Sequence, residues 1–241
     1  MNKIKISAVA YTNTKPFIYG IEHSEVKDLI DLTLDIPSDC AAKLISGQVD
    51  VGLIPVAAIP DVPNAEIIAD YCIGSKGAVN SVFIFSKVPV AEIKTVKLDR
   101  ESRTSNNLAK VLLKFYWKQE AVFTTDLSAE TDAMVLIGDR TFGKRDDYAY
   151  AYDMGEEWMN FTGLPFLYAA WVANKSIPAE FIGTFNKALK SGLDSRNEVL
   201  KMLPAVPNFD VEDYLLHKLD FELTDDKREA LALFLSYISK L

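Results

Sequence analysis

The chain has 241 residues, 49% of them hydrophobic and 25% charged, with a formal net charge of −8. That balance specifies a globular protein with a sizeable core, as one large domain or two small ones, and excludes a disordered chain. The acidic total argues against a generic nucleic-acid binder, whose phosphate contacts need a basic face, but it leaves anionic small ligands open, because they respond to local field.

Met1-Asn2-Lys3 leads directly into a strand-like run. No apolar segment with a small-residue cleavage site precedes it, and no apolar run nears the ~20 residues of a membrane span. Cys40 and Cys72 lack metal-ligand spacing, and a disulfide is not expected of them without an export signal. The expectation is a cytoplasmic protein without metal, cofactor, nucleic-acid or membrane partner; the sequence leaves oligomeric state undetermined.

In chain order, Ile4 to Val9 reads as a strand that runs into the polar hexapeptide Tyr-Thr-Asn-Thr-Lys-Pro, residues 11–16. Leu32 to Ile36 and Val51 to Ile54 are further apolar runs. Between them, "PSDCAAKLISG" reads as a short helix, with Ser38 as cap and Gly47 closing it. Strand, helix, strand at this spacing predicts a βαβ unit and a parallel sheet. Val79 to Phe85 follows as a strand crossing outward to a second set of elements, with Leu164 to Ala173 returning.

The second set comprises strands at Thr95 to Leu98, Ala121 to Thr125 and Ala133 to Ile137. It includes a helix in "SRTSNNLAKVLLKFYW" and another in "YDMGEEWMNFTG", where Asp153 and Glu156 form a capping pair and Gly163 stops the helix. The C-terminal part is helical, with Phe181, Phe185 and Leu189 on one face and Leu231, Phe234 and Ile238 on another. The expected division is residues 1–86 with 169–241 in one lobe and 87–168 in the other, with a ligand cleft between them.

In open parallel sheets ligands sit beyond the carboxyl ends of strands, and three polar turns fall at such ends: Tyr11 to Lys15, Asp99 to Ser105, and Gly138 to Arg140. Ser102, Arg103, Thr104 and Ser105 open an amphipathic helix, where unpaired N–H groups, hydroxyls and a guanidinium suit a carboxylate; plain N-capping beside a surface arginine is the alternative. Thr12, Asn13 and Thr14 offer donors and acceptors, or merely an Asx turn. Ser81 is placed inside its strand, where most serines satisfy a backbone carbonyl. Gly138 and Asp139 end their strand, the acid reaching a ligand hydroxyl or capping the next turn. His23 and His217 sit at no strand end, which makes a serine-type triad unexpected.

Together, "VAYTNTKPFIYG", "IPSDCAAKLISGQVDVGLIPVAAI", "IGSKGAVNSVFIFS", "LDRESRTSNNLAKVLL", "LIGDR" and "YDMGEEWMNFTGLPFLYAAW" resemble the chorismate dehydratase family of the futalosine route to menaquinone. The resemblance covers about Ile4 to Asn174. It implies an α/β, two-lobed periplasmic-binding-protein type II (Venus flytrap) fold. It also implies dehydration of chorismate to 3-[(1-carboxyvinyl)oxy]benzoate, with the substrate's enolpyruvyl carboxylate as base. Asn13 and Ser81 match its active-site positions, and Ser102 to Ser105 its carboxylate grip. Thr12 stands where the family more usually has leucine, and Asn80 also departs from the pattern. The alternatives are the sibling 1,4-dihydroxy-6-naphthoate synthase, whose turn differs and which depends on a histidine, and a non-catalytic cytoplasmic binding protein for an anionic small molecule.

Overall fold

The computed structural model describes residues 3–241; the opening Met1-Asn2 lies outside the described residues. The strands are β1 (Ile4–Val9), β2 (Ile30–Asp35), β3 (Val51–Pro55), β4 (Glu66–Ser75), β5 (Val82–Ser86), β6 (Thr95–Lys97), β7 (Val122–Thr124), β8 (Ala133–Ile137), β9 (Tyr150–Asp153), β10 (Phe166–Ala173) and β11 (Asp220–Glu222). The helices are α1 (Lys15–Glu22), α2 (Val26–Leu29), α3 (Pro37–Ile45), α4 (Arg103–Val111), α5 (Met154–Thr162), α6 (Ala179–Asp194), α7 (Arg196–Met202), α8 (Val211–Asp213) and α9 (Asp225–Ile238).

They form two compact units. One holds the chain up to Gly74, Leu167–Pro204 and Asp220–Thr224; the other holds Ser75–Phe166, Ala205–Leu219 and Asp225–Leu241.

The first unit is built on a six-stranded sheet in the order β11-β4-β10-β3-β1-β2. β1 pairs in parallel with β2 and β3, as the strand–helix–strand spacing predicts. The sheet as a whole is mixed, not parallel, because β10 runs antiparallel to β3 and β11 antiparallel to β4. The expected cap of α3 also differs. Ile36 occupies the cap position without a side-chain bond, since Pro37 with its fixed φ already starts the helix one residue before Ser38.

Helix α1 buries Phe17 and Ile21, and α6 buries Phe185 and Leu189. Trp171 meets Phe17 and Phe185 edge-on at 5.9 and 5.0 Å. α1 and α6 cross at two glycines. A Cβ on Gly20 would run into the Ala188 carbonyl, and one on Gly192 into the Pro16 carbonyl, so the helix backbones touch with no room for a methyl group.

The second unit carries a five-stranded sheet in the order β7-β6-β8-β5-β9. β6 is parallel to β7 and β8, while β5 is antiparallel to β8 and β9. Val79 to Phe85 is therefore not a crossing strand: the units divide between Gly74 and Ser75, at the end of β4, and β5 starts at Val82 inside the second sheet. Buried Leu108 and Leu112 come from the helix that begins at Arg103.

The expected lobe division also differs at the C-terminus, because α9 belongs to the second unit. Aromatic packing explains it: Phe234 lies edge-on to Trp158 and Phe166 at 5.9 and 5.0 Å, and Tyr237 packs on Phe161.

Candidate functional site

In the first unit, β1 ends at Val9 and residues Thr12–Thr14 form one turn of 3₁₀ helix before α1. The Thr14 N–H donates to the Tyr11 carbonyl at 3.1 Å, and the Thr14 hydroxyl donates to Asn13 Oδ1, also at 3.1 Å. Pro16 then sits in the first turn of α1. Thr14 is fully buried, whereas Thr12 and Asn13 are half-buried. The polar hexapeptide is thus a tight, internally bonded turn that holds Asn13 at the carboxyl end of β1, the strand next to the sheet's β2 edge.

In the second unit three segments share one sheet edge. β6 and β8 are parallel and β5 antiparallel, with Val82 opposite Ile137, so the carboxyl ends of β6 and β8 lie beside the amino end of β5. Ser81, the Asp99–Ser105 loop and the Gly138–Thr141 turn all stand on that edge.

Hydrogen bonds join them. The Gly138 N–H donates to the Ser81 carbonyl at 2.8 Å, and its φ of +63° is a conformation in which glycine bears no Cβ penalty. Arg140 Nη2 spans the edge to both Asp99 oxygens, at 3.0 and 2.8 Å, and reaches Glu101 at 3.2 Å. Asn106 holds the Asp99 backbone from both sides, accepting from its N–H at 2.9 Å and donating to its carbonyl at 2.7 Å.

Ser102 caps α4, its Oγ accepting from the Ser105 N–H at 3.0 Å, so the capping reading holds for this residue. Thr104 and Ser105 are buried at the helix mouth; Arg103 and Asp139 are exposed.

Ser81 lies just before β5, not within a strand, and is only 1% exposed. What bends the chain there is Asp153. Its carboxylate caps α5 by accepting from the N–H groups of Gly155 and Glu156 at 2.9 and 3.2 Å. It also accepts from Val79 at 3.0 Å and from Asn80 at 2.6 Å. Asn80 takes a φ of +58°, a left-handed conformation that asparagine tolerates better than most residues. Burial pushes the Asp153 carboxyl up from its usual range, while the Asn80, Val79, Glu156 and Gly155 N–H groups pull it back.

The hydroxyl of Tyr214 donates to Ser81 Oγ at 3.0 Å. Neither Tyr214 nor the long reach of Asp153 is legible in the sequence, since both depend on pairings more than seventy residues apart.

The chemistry of these residues is that of hydroxyls, amides, a guanidinium and the carboxylates of Asp99, Glu101, Asp139 and Asp153. His23 stacks on Tyr19 in α1 at 4.0 Å, and His217 is exposed beyond α8. Burial pushes the Cys40 thiol up to about 11, which removes it as a nucleophile at neutral pH. Among the described residues no group of three His, Cys, Asp or Glu side chains is placed to hold a metal ion, and no helix is long and apolar enough to cross a membrane.

Residues 4–240 match the model of a family described as menaquinone biosynthesis. A chorismate dehydratase from Thermus thermophilus is 25% identical over 190 residues, covering 68% of this chain and 69% of the relative. Among solved structures, an Archaeoglobus fulgidus protein superposes with a TM-score of 0.75 at 14% identity, covering 99% of this chain and 97% of that one. A Candida albicans gene product described as having the generic periplasmic binding protein fold gives a TM-score of 0.65 at 12% identity, with 100% and 94% coverage. The alkanesulfonate-binding protein of Xanthomonas axonopodis gives 0.63 at 13% identity, with 98% and 93% coverage. The fold is that of the type II periplasmic binding proteins, as the motif series implies.

Proposed function

This chain belongs to the menaquinone biosynthesis family, and on that premise we propose that it is a chorismate dehydratase, a hydro-lyase working in the cytoplasm on the futalosine route. The observation that carries the reading is the second sheet's edge, where Ser81, the mouth of α4 and the Gly138 turn are hydrogen-bonded into one rim. Such a rim suits an oxygen-rich anionic substrate. The Thermus thermophilus relative named chorismate dehydratase supports the same choice.

Chorismate is a dicarboxylate with a cyclohexadiene ring, an enolpyruvyl ether and a hydroxyl. One ring C–H bond and the C–O bond to the hydroxyl break, the ring becomes aromatic, and the hydroxyl leaves as water with the ring proton, which the enolpyruvyl carboxylate carries to it. Aromatisation supplies the driving force, so the protein has to orient the substrate and exclude solvent. The enolpyruvyl carboxylate takes the ring proton. Arg103 with Thr104, Ser105 and the first-turn N–H groups of α4 anchors one carboxylate, with Ser102 holding that turn in shape. Ser81 donates to the departing oxygen; Asn13, set between Thr12 and Thr14, orients the enolpyruvyl group. Gly138 and Asp139 border the substrate on the rim.

Incubating the protein with chorismate and following products by mass tests the proposal. The expected result is 3-[(1-carboxyvinyl)oxy]benzoate and one water per turnover. Chorismate bound but recovered unchanged would make the protein a binding protein, and turnover only of the sibling enzyme's cyclic futalosine-derived substrate would make it the naphthoate synthase.

A further inference from the structure

We propose that Tyr214 is a positioning residue for Ser81, fixing the direction in which the serine hydroxyl donates its hydrogen bond; this rests on the dehydratase reading above. Ser81 is held on both sides through its backbone. Before it, Val79 and Asn80 donate to Asp153; after it, its carbonyl accepts from Gly138. What remains adjustable is the side-chain torsion and the hydroxyl rotor.

Tyr214 settles both. Its O–H reaches Ser81 Oγ at 3.0 Å, and both residues are 1% exposed. The tyrosine ring has little freedom of its own. Phe142 lies against it edge-on at 5.2 Å and Phe209 at 5.5 Å, and those two phenylalanines stack on each other at 3.8 Å. With a donor from Tyr214 occupying the serine oxygen, the proton of Ser81 is directed to a different acceptor, the oxygen leaving the substrate ring. A hydroxyl that accepts a hydrogen bond is also a better donor, because consecutive bonds polarise one another.

The test is steady-state kinetics on chorismate for wild type, Tyr214→Phe, Ser81→Ala and the double variant, with urea midpoints for all four. Tyr214→Phe keeps the ring and removes only the hydroxyl. The expected result is a kcat lowered roughly tenfold or more with KM nearly unchanged, since removing a direct donor to a reacting oxygen commonly costs ~10²-fold and this residue acts one step back. The double variant should be no slower than Ser81→Ala alone. A purely structural role would move the urea midpoint and leave kcat of the folded enzyme alone, and that outcome overturns the proposal. So does strict additivity of the two substitutions. A wild-type protein that returns chorismate unchanged overturns the functional reading and this inference with it, whereas an active wild type with an equally active Tyr214→Phe overturns the inference only.

Discussion

Replacing Asp153 with alanine removes the acceptor of four backbone N–H groups in one step. The bonds from Val79 and Gly155 are buried, whereas those from Asn80 and Glu156 are only partly so. Water can rescue the partly buried pair. The buried pair stays unsatisfied, at ~1–3 kcal/mol for each donor, which gives about 4 kcal/mol. Some of this is offset, because burial works against the carboxylate and that cost disappears with it. The expected net loss is therefore ~2–4 kcal/mol, or roughly 30- to 1000-fold in the unfolding equilibrium constant.

Urea unfolding followed by circular dichroism and tryptophan fluorescence measures this loss. Asp210→Ala is the matched control, because Asp210 caps α8 through an exposed bond to Asp213 at 2.9 Å and should cost ~1 kcal/mol or less. If Asp153→Ala lost no more than Asp210→Ala, Asp153 would be an ordinary cap and the bend before Ser81 would need another cause.

The crossing of α1 and α6 predicts that Gly20→Ala and Gly192→Ala each destabilise by ~3 kcal/mol or more, because backbone would have to move apart. Gly183, on the same α6 with open space around its Cβ position, should instead gain ~0.5–1 kcal/mol as alanine; equal effects at the three sites in thermal melts would refute the close contact. Burial would raise the Asp35 carboxyl, but Lys43 at 2.6 Å and the hydroxyls of Ser7 and Thr33 together hold it below its ordinary 3.8. A depressed folded-state value means that its stabilisation is present above pH 3.8 and lost as pH falls through that lower value. Lys43→Met should therefore flatten the acid limb of the stability profile, and an unchanged limb would remove this pair from the account. Asn13→Ala should lose most turnover with an unaltered fold by circular dichroism, and normal turnover would take Asn13 out of the reaction. Arg103→Ala should chiefly weaken chorismate binding in titration calorimetry; full affinity would mean that the carboxylate is held elsewhere.

The local part of the fold is legible because it follows from patterns within a few residues. β1 and β8 match their apolar runs residue for residue, and Asp153 with Gly163 brackets α5. β4 goes unrecognised as a strand because Asp70 and Tyr71 interrupt its apolar run; its identity comes from its neighbours in the sheet. β11 is three residues long and exists through its pairing with β4. Two of the three polar turns, Asp99 to Ser105 and Gly138 to Arg140, fall on the edge that carries Ser102 and Gly138; Tyr11 to Lys15 lies in the other unit, and Ser81 joins the edge from a position expected inside a strand. The ion pair that links Arg140 to Asp99, 41 residues earlier, is not anticipated, because charge spacing along a chain says nothing about contacts made by folding.

The segments Asp220–Thr224 and Asp225–Leu241 belong to different units. β11 in the first of them supplies Phe221, which packs edge-on to Phe17 at 5.4 Å, and α9 in the second supplies Phe234 to Trp158. During synthesis, then, neither unit can finish its core until residues 220–241 have left the ribosome. A nascent chain stalled before Asp220 would present both unfinished interiors to chaperones at once.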